Sequence, residues 1–188
     1  MLAFENSFKD AIYKMMYIIS EQIPNNVSYP IKAYITGGCA VHFYTNNRVS
    51  DDVDLILSHR VNIPSDLSVV WLDENGNINQ VSYDHTYNPT LGLLHEDFED
   101  RAELIKTIDN KFEIYTLSPV DLIITKISRY ASNDEEDIKN IIKCCNIDKN
   151  LLSELANDAI NVSVAINKND ALLKLSWIIE KIDERHNI

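Results

Sequence analysis

The chain has 188 residues, of which 45% are hydrophobic, and a formal net charge of -12 at pH 7. This length suits one compact domain with an appendage, or two small domains. The acidic balance argues against a broad cationic surface that holds nucleic acid through its phosphates, but it allows a local basic patch. No stretch is long and apolar enough to span a bilayer, and residues 1–22 carry charges at intervals, unlike a signal peptide. We therefore expect a cytoplasmic protein with no membrane partner.

The first third of the chain predicts a helix, a strand and a glycine bend. Apolar residues recur at three- and four-residue steps over residues 4–23, which is typical of an amphipathic helix, and Pro24 ends it. Residues 31–36 alternate and then reach Gly37-Gly38, which predicts a first strand and its exit loop. Residues 39–44 are apolar enough for a short helix packed on the sheet.

Two carboxylates alternate with apolar residues at the start of the second predicted strand, which covers residues 53–57. Because the side-chain period of a strand is two, Asp52 and Asp54 share a face, with Cα atoms about 6.6 Å apart, and Val53 and Leu55 face the core. Two acids on one face repel each other and resist desolvation, so a cation between them is expected. Beside a glycine loop that accepts phosphates, the pair predicts a metal-nucleotide site. Alternatively, Asp52 lies with Asp51 in a solvated turn, and Asp54 is the only inward acid.

Two hairpins and a loop complete the strand-rich part. Residues 69–72 and 78–83 flank Asn75-Gly76, a strong turn dipeptide, and residues 102–108 and 112–117 flank a polar turn. Residues 85–99 have no clear period, so we expect a loop with a helical turn.

Helices predominate after residue 117. Ser118-Pro119-Val120-Asp121 contains a hydroxyl cap, a proline at the first helical position and an acid at the third, which predicts a helix start. Residues 132–135 interrupt that helix and begin another, and residues 149–164 and 169–185 predict two more. The division predicts an α/β (α+β) fold with domains 1–117 and 118–188, the second a helical bundle.

The cysteines indicate neither a disulfide framework nor a structural zinc site. Cys39, Cys144 and Cys145 form no even set and no C-x-x-C spacing. The adjacent pair predicts two buried thiols on a helix, with a strained disulfide as the alternative.

Three motifs in this order resemble the nucleotidyltransferase superfamily. They are strand-Gly-Gly-x-Ala, then Arg-x-Ser-x-Asp-Val-Asp-Leu, and later Leu-Ser-Pro-x-Asp-Leu-Ile-x-x-Lys with an acid-rich helix start. They lie in residues 34–57 and 117–137, and they look most like the minimal bacterial branch that includes toxins of abortive-infection systems. The resemblance implies a mixed sheet flanked by helices and transfer of a nucleoside monophosphate from a triphosphate, with Mg²⁺ or Mn²⁺, to a hydroxyl of RNA, protein or a small molecule. A toxin-like protein also implies an antitoxin partner.

Carried over residue by residue, the resemblance assigns the phosphate-facing loop to Gly37 and Gly38 and the metal ligands to Asp52 and Asp54. Lys126 occupies the place of the family's lysine, which faces the triphosphate. The late aspartate of the family corresponds to Asp137. The family's glycine-serine pair is Gly37-Gly38 here, so no serine hydroxyl at that position contacts the phosphate.

The third carboxylate and the nucleotide-binding residues each have alternative assignments. Asp84, at the end of an apolar strand, is the candidate third carboxylate for catalysis and metal binding, with Asp97 or Glu99 as alternatives. Arg48 and Ser50 are candidates for nucleotide binding, although Arg48 is equally suited to pair with an acid.

Two of the carried-over residues also have ordinary structural interpretations. Lys126 on an amphipathic helix is otherwise expected to face solvent. Asp137 lies where acids favour a helix N-terminus without any catalytic role. A noncatalytic module of the same fold, acting in partner binding or regulation, is the alternative function, because no third carboxylate is evident.

Overall fold

The computed structural model describes residues 4–129 and 133–186. In chain order its elements are α1 (Phe8–Glu21), β1 (Ile31–Ile35), α2 (Gly37–Thr45), β2 (Asp52–Val53), β3 (Leu55–Leu57), β4 (Ser68–Leu72), β5 (Ile78–Tyr83), a 3₁₀ turn (Pro89–Leu91), α3 (Phe98–Arg101), β6 (Glu103–Ile108), β7 (Phe112–Thr116), α4 (Pro119–Arg129), α5 (Asp134–Cys144), α6 (Lys149–Val162) and α7 (Lys168–His186). In the part of the chain that is described, no helix is long and apolar enough to cross a membrane.

Both sheets contain parallel and antiparallel pairs. In the four-stranded sheet, ordered β3-β1-β7-β6, β1 is parallel to β7, and the two edge strands are antiparallel to their neighbours. In the three-stranded sheet, ordered β2-β5-β4, β5 is parallel to β2 and antiparallel to β4. The expected α/β fold with mixed sheets and flanking helices is therefore confirmed.

Both predicted hairpins are present. β4 and β5 flank a loop in which Gly76 adopts a φ of 79°, a left-handed conformation that suits glycine. Between β6 and β7, Asp109 and Asn110 have φ values of 50° and 52°, as in the turns that match the twist of a two-stranded ribbon. The local turn residues thus determine the register of both pairs.

The second predicted strand is divided between the two sheets. Val53 pairs with Tyr83 in the three-stranded sheet, and Leu55 pairs with Ile35 in the four-stranded sheet. Asp54 lies between β2 and β3, at the point where the chain changes sheets. The expected inward alternation holds, since Val53 and Leu55 are both buried.

The first predicted helix is confirmed as α1, which begins at Phe8 because the Ser7 side chain accepts the Asp10 N–H at 3.1 Å. It packs against β4 and β5. Its buried face comprises Phe8, Ala11, Ile12, Met15, Met16 and Ile19. Complete burial of this apolar stripe makes α1 part of the core rather than an appendage.

The chain divides into two compact units. The first contains residues 1–43, 47–87 and 103–116, and the second contains residues 44–46, 88–102 and 117–188. Both sheets belong to the first unit, and α3 to α7 belong to the second. The division into domains 1–117 and 118–188 stays a prediction.

The start of α4 follows its sequence signal, whereas Asn133 before α5 makes no side-chain capping bond. Asp121 donates its N–H to Ser118 Oγ at 3.1 Å, so the cap predicted for α4 is present. Residue 132 of the predicted interruption lies outside the described residues, and α5 begins at Asp134. Cys144 is exposed and Cys145 is half-buried, so the prediction that both thiols are buried is wrong. They lie at the end of α5, beyond Ile142, the last residue of its buried face.

Candidate nucleotide and metal site

The turn from β1 into α2 is shaped by an aspartate. Gly37 has a φ of 61°, and a Cβ built there would overlap Oδ2 of Asp54. The carboxylate therefore occupies space that only glycine leaves open. The glycine pair forms the first turn of α2, and not an exit loop before it, because the helix begins two residues earlier than predicted.

Main-chain hydrogen bonds hold Asp54 from both sheets. Its carbonyl accepts the Thr36 N–H at 3.1 Å, and the carbonyl of the preceding Val53 accepts the Asp84 N–H at 3.1 Å. The end of β1, the change of sheets and the end of β5 consequently meet at one place in the first unit. The position of the Asp54 backbone is thus set by both sheets.

Gly38 is in close contact with two residues of the following loop. A Cβ built at Gly38 would lie 3.0 Å from Ser50 Cβ, 3.1 Å from Ser50 Oγ and 3.5 Å from Arg48 Nε. Arg48 Nη1 donates to the Val49 carbonyl. The Ser50 hydroxyl and the Arg48 guanidinium thus lie beside the first turn of α2. Both residues are candidates for nucleotide binding from the sequence.

Cys39 fastens the same turn to Asp52. Its thiol is buried and donates to the Asp52 carbonyl at 3.2 Å. Burial raises the pKa of the Cys39 thiol far above its ordinary value, and the nearby Asp54 carboxylate raises it further. The thiol therefore stays protonated and acts as a donor to the backbone.

The three acids around the change of sheets differ in exposure. Asp51 and Asp52 are exposed, whereas Asp54 is half-buried. The strand that carries Asp52 ends at Val53, so the two carboxylates do not lie along one continuous strand as expected. This geometry agrees with the alternative in which Asp54 is the inward acid and Asp52 is open to solvent.

Asp84 lies beside the change of sheets, but its carboxylate faces its own turn. Oδ1 accepts the Thr86 N–H and the Thr86 hydroxyl, each at 2.7 Å. The hydroxyl bond holds the pKa of Asp84 below its ordinary value, against the opposing effect of burial. The Asp84 carboxylate is consequently ionised at neutral pH.

Three carboxylates do not form a metal group within the described part of the chain. Among residues 4–129 and 133–186, no group of three or more histidine, cysteine, aspartate or glutamate side chains is arranged to hold a metal ion. Asp84 does not join Asp52 and Asp54 in such a group, since its carboxylate is bound to Thr86. Mg²⁺ is ordinarily held by one or two carboxylates together with substrate phosphates. The pair Asp52 and Asp54, one of them seated against the glycine turn, is compatible with that mode.

Lys126 and Asp137 belong to the second unit, where they contact each other. Lys126 Nζ lies 2.7 Å from Asp137 Oδ2 and 3.0 Å from Asp134 Oδ1. Arg129 donates to both Asp134 oxygens, at 3.2 and 3.0 Å. Lys126 is only 2% exposed, so it is buried and does not face solvent as lysines on amphipathic helices ordinarily do. The contact of Lys126 with a triphosphate stays a prediction, and its observed partners are the two aspartates.

Sequence reasoning missed a second buried ion pair. The Arg101 guanidinium binds Asp121 with two hydrogen bonds, of 3.0 and 2.7 Å, and the Ser118 hydroxyl donates to Asp121 at 2.5 Å. The helix-cap motif identified Ser118 and Asp121, but no local pattern indicated Arg101, which lies 20 residues earlier. Asp97 and Glu99, the alternative third carboxylates, are exposed residues of the same unit.

Changing Gly37 to alanine is expected to destabilise the fold and displace the Asp54 carboxylate. The left-handed φ alone costs an alanine about 1–2 kcal/mol, and the added Cβ overlaps Asp54 Oδ2. Gly76→Ala is the matched control, because Gly76 has a φ of 79° and nothing within 4 Å of its built Cβ. Thermal unfolding should show a larger loss for Gly37→Ala than for Gly76→Ala. Equal losses would mean that the carboxylate moves freely and that the contact is not structural.

Comparison with protein families gives a match over residues 14–186 to a family described as nucleotidyltransferase of unknown function (DUF6036). Among solved structures, the chain is similar to an antigenic nucleotidyltransferase-like protein from Paracoccidioides brasiliensis, with 17% sequence identity, a TM-score of 0.46 and 95% of each chain covered. Comparison with curated proteins finds no match. Because the family match spans most of the chain, this protein belongs to the nucleotidyltransferase family of unknown function, DUF6036.

Proposed function

We propose that this chain is a metal-dependent nucleotidyltransferase that moves a nucleoside monophosphate from a nucleoside triphosphate to an acceptor hydroxyl. The observation that carries this proposal is the contact of the Asp54 carboxylate with Gly37 in the first turn of α2. That contact joins an acid suited to a hard cation with a helix start suited to an anion. Family membership supports the same reaction class.

The first turn of α2 would receive the triphosphate. The first N–H groups of a helix have no intrahelical partners, and the helix dipole adds partial positive charge there. Gly38 lets the phosphates approach the backbone closely, and Arg48, beside it, supplies a cation. Ser50 would offer its hydroxyl at the same turn, where the family's serine is replaced by Gly38.

Asp52 and Asp54 would hold Mg²⁺ or Mn²⁺ together with the phosphates of the bound nucleotide. When bound, such an ion neutralises charge on the phosphates and orients them for in-line displacement. The exposure of Asp52 leaves its carboxylate accessible to a metal that arrives with the nucleotide. The Gly37 contact would keep the Asp54 carboxylate at the phosphate-facing end of α2.

In the reaction the acceptor hydroxyl oxygen forms a bond to the α-phosphorus, the bond from that phosphorus to the bridging oxygen breaks, and pyrophosphate leaves. The hydroxyl proton passes to a base or to solvent. Asp84 has a depressed pKa and is therefore a weak base. The Asp84 carboxylate is therefore better suited to stabilise positive charge near the site than to accept the proton of the acceptor hydroxyl.

The direct test is transfer of label from each α-labelled nucleoside triphosphate in Mg²⁺ or Mn²⁺. RNA, protein and small-molecule pools would serve as acceptors. The expected result is label on one of these pools with release of pyrophosphate, both prevented by EDTA. The absence of both nucleotide binding and label transfer with every triphosphate would overturn the proposal.

A noncatalytic module of this family is the second candidate. It is favoured by one observation, that the described residues hold no three-ligand metal group and that Asp84 is bound to Thr86. Metal-dependent nucleotide binding without transfer to any pool would support this function and exclude the enzyme.

The toxin-like branch and an antitoxin partner remain proposals that rest on the motif resemblance. A cytoplasmic location remains a proposal that rests on the charges spaced along residues 1–22. A toxin-like member should co-purify with a stoichiometric protein. The helical second unit is the part we assign to such a partner.

A further inference from the structure

Aromatic rings and lysines alternate along one stripe of the first unit. Lys9, Tyr13 and Tyr17 follow one another at four-residue steps on α1, so they share one face of that helix. Phe43 of α2 and Lys106 of β6 extend the stripe. We name these five residues the aromatic stripe.

The lysines of the aromatic stripe lie against its rings. Lys106 Nζ is 4.9 Å from the centre of the Tyr13 ring and 4.8 Å from that of Tyr17. Lys9 Nζ is 5.3 Å from the centre of the Phe43 ring, which contacts Tyr13 edge-on at 5.9 Å. The contacts therefore form a continuous series of three rings and two ammonium groups.

This local charge is opposite to that of the whole protein, which is -12. Two acids of α1 reduce this local charge. Asp10 raises the pKa of Tyr13, and its Oδ2 accepts the Ser7 hydroxyl at 2.7 Å. Glu21 is exposed and lies four residues after Tyr17. The exposed Lys14 lies on the same helix. A partner that is both anionic and aromatic matches this surface better than one with only one of these properties.

We propose that the aromatic stripe binds single-stranded nucleic acid. Bases have π-faces that stack on aromatic side chains, and the phosphates between them attract lysines. Lys9 and Lys106 would move from ring faces to phosphates, which frees the rings for bases. Tyr17 is 43% exposed and is already accessible to a base.

The stripe also suits an acceptor strand, a step that rests on the proposed function. Phe43 lies on α2, six residues after Gly37, which corresponds to about 9 Å along the helix axis. The stripe thus begins on the helix whose first turn would receive the triphosphate. A strand bound there has its end within reach of that turn.

Fluorescence anisotropy with a labelled single-stranded RNA of 12 nucleotides, in EDTA and without nucleotide, tests the binding step independently of transfer. The oligonucleotide should bind, and Tyr17→Ala should weaken binding about fivefold to a hundredfold. Lys9→Ala and Lys106→Ala should each reduce the slope of log K against log salt by about 0.7. Tyr29→Ala and Lys139→Ala, which remove an exposed tyrosine and an exposed lysine elsewhere, should leave affinity within twofold.

Four results would overturn the proposal: no binding at low salt, equal loss in the control variants, equal competition by a polyglutamate peptide, or duplex RNA that binds as tightly as the single strand. Competition by polyglutamate would identify a general anion surface, and equal duplex binding would contradict stacking. If the protein binds the oligonucleotide but shows no transferase activity, the binding role of the aromatic stripe stands and only the proposed function is rejected. Tyr17→Ala protein that transfers label to the oligonucleotide as fast as the wild type would reject the acceptor role.

Discussion

Asp54→Asn is expected to reduce nucleotidyl transfer about a thousandfold or more. The amide keeps the shape of the side chain against Gly37 but removes the negative charge that would bind the metal. Because the Thr36 N–H binds the Asp54 carbonyl, a main-chain bond that the substitution leaves intact, the fold should survive the change. Label transfer and calorimetric titration with Mg²⁺ and nucleoside triphosphate would measure the loss.

Asp51→Asn is the matched control, because it removes the same charge three positions away. Asp51 is exposed, and its carbonyl accepts the Ser82 N–H at 2.8 Å through the backbone, which the substitution leaves intact. Asp51→Asn should therefore retain transfer within about threefold, as expected of a surface charge. Equal activity in Asp54→Asn and wild-type protein would show that Asp54 serves only the turn, and the site assignment would fail.

The contact at the glycine turn was predictable because one short segment carries the information. The order glycine pair, then Asp52 and Asp54, indicated that an acid and a helix start lie close together, and the Gly37 contact with Asp54 has that form. The division of the strand at Asp54 was not predictable, because the pairing partners of Val53 and Leu55 are remote in the sequence. Local alternation reports which side chains are buried, but it does not report which sheet buries them.

The environment of Asp84 shows a second limit. Its position after an apolar strand was evident, and its N–H does bind the Val53 carbonyl. Whether the carboxylate faces the other acids or its own turn depends on Thr86, two residues later. An aspartate side chain commonly accepts hydrogen bonds from the residue two positions later in a turn, and here Thr86 is that residue. That local competition is the reason why the third carboxylate could not be assigned from its strand alone.

The helical half was predictable in the cap of α4 and not in its buried charges. Periodicity places Lys126 on a helix, but it does not reveal that two acids of the next helix surround its ammonium group. Arg101 is similar, since its partner Asp121 belongs to a different element. A long charged side chain is usually solvated, and it becomes buried only where tertiary contacts supply a partner.

Lys126→Met is expected to lower the free energy of unfolding by about 3–5 kcal/mol, because it removes the buried ammonium group that binds two buried carboxylates. The side chains of Lys126, Asp134 and Asp137 are only 3%, 1% and 3% exposed. Arg129 still binds Asp134 in the variant, whereas the 2.7 Å contact between Lys126 and Asp137 is lost. Urea denaturation followed by circular dichroism would measure the loss of stability.

Lys139→Met is the matched control, because Lys139 forms an exposed pair with Glu135 one helical turn away. It should change stability by no more than about 0.5 kcal/mol. The double variant Lys126→Met with Asp137→Leu removes both charges and should recover much of the loss, since a buried ion pair is often replaceable by apolar side chains. If Lys126→Met instead unfolds like the wild type but loses nucleotide binding, Lys126 contacts the triphosphate and the structural role is rejected.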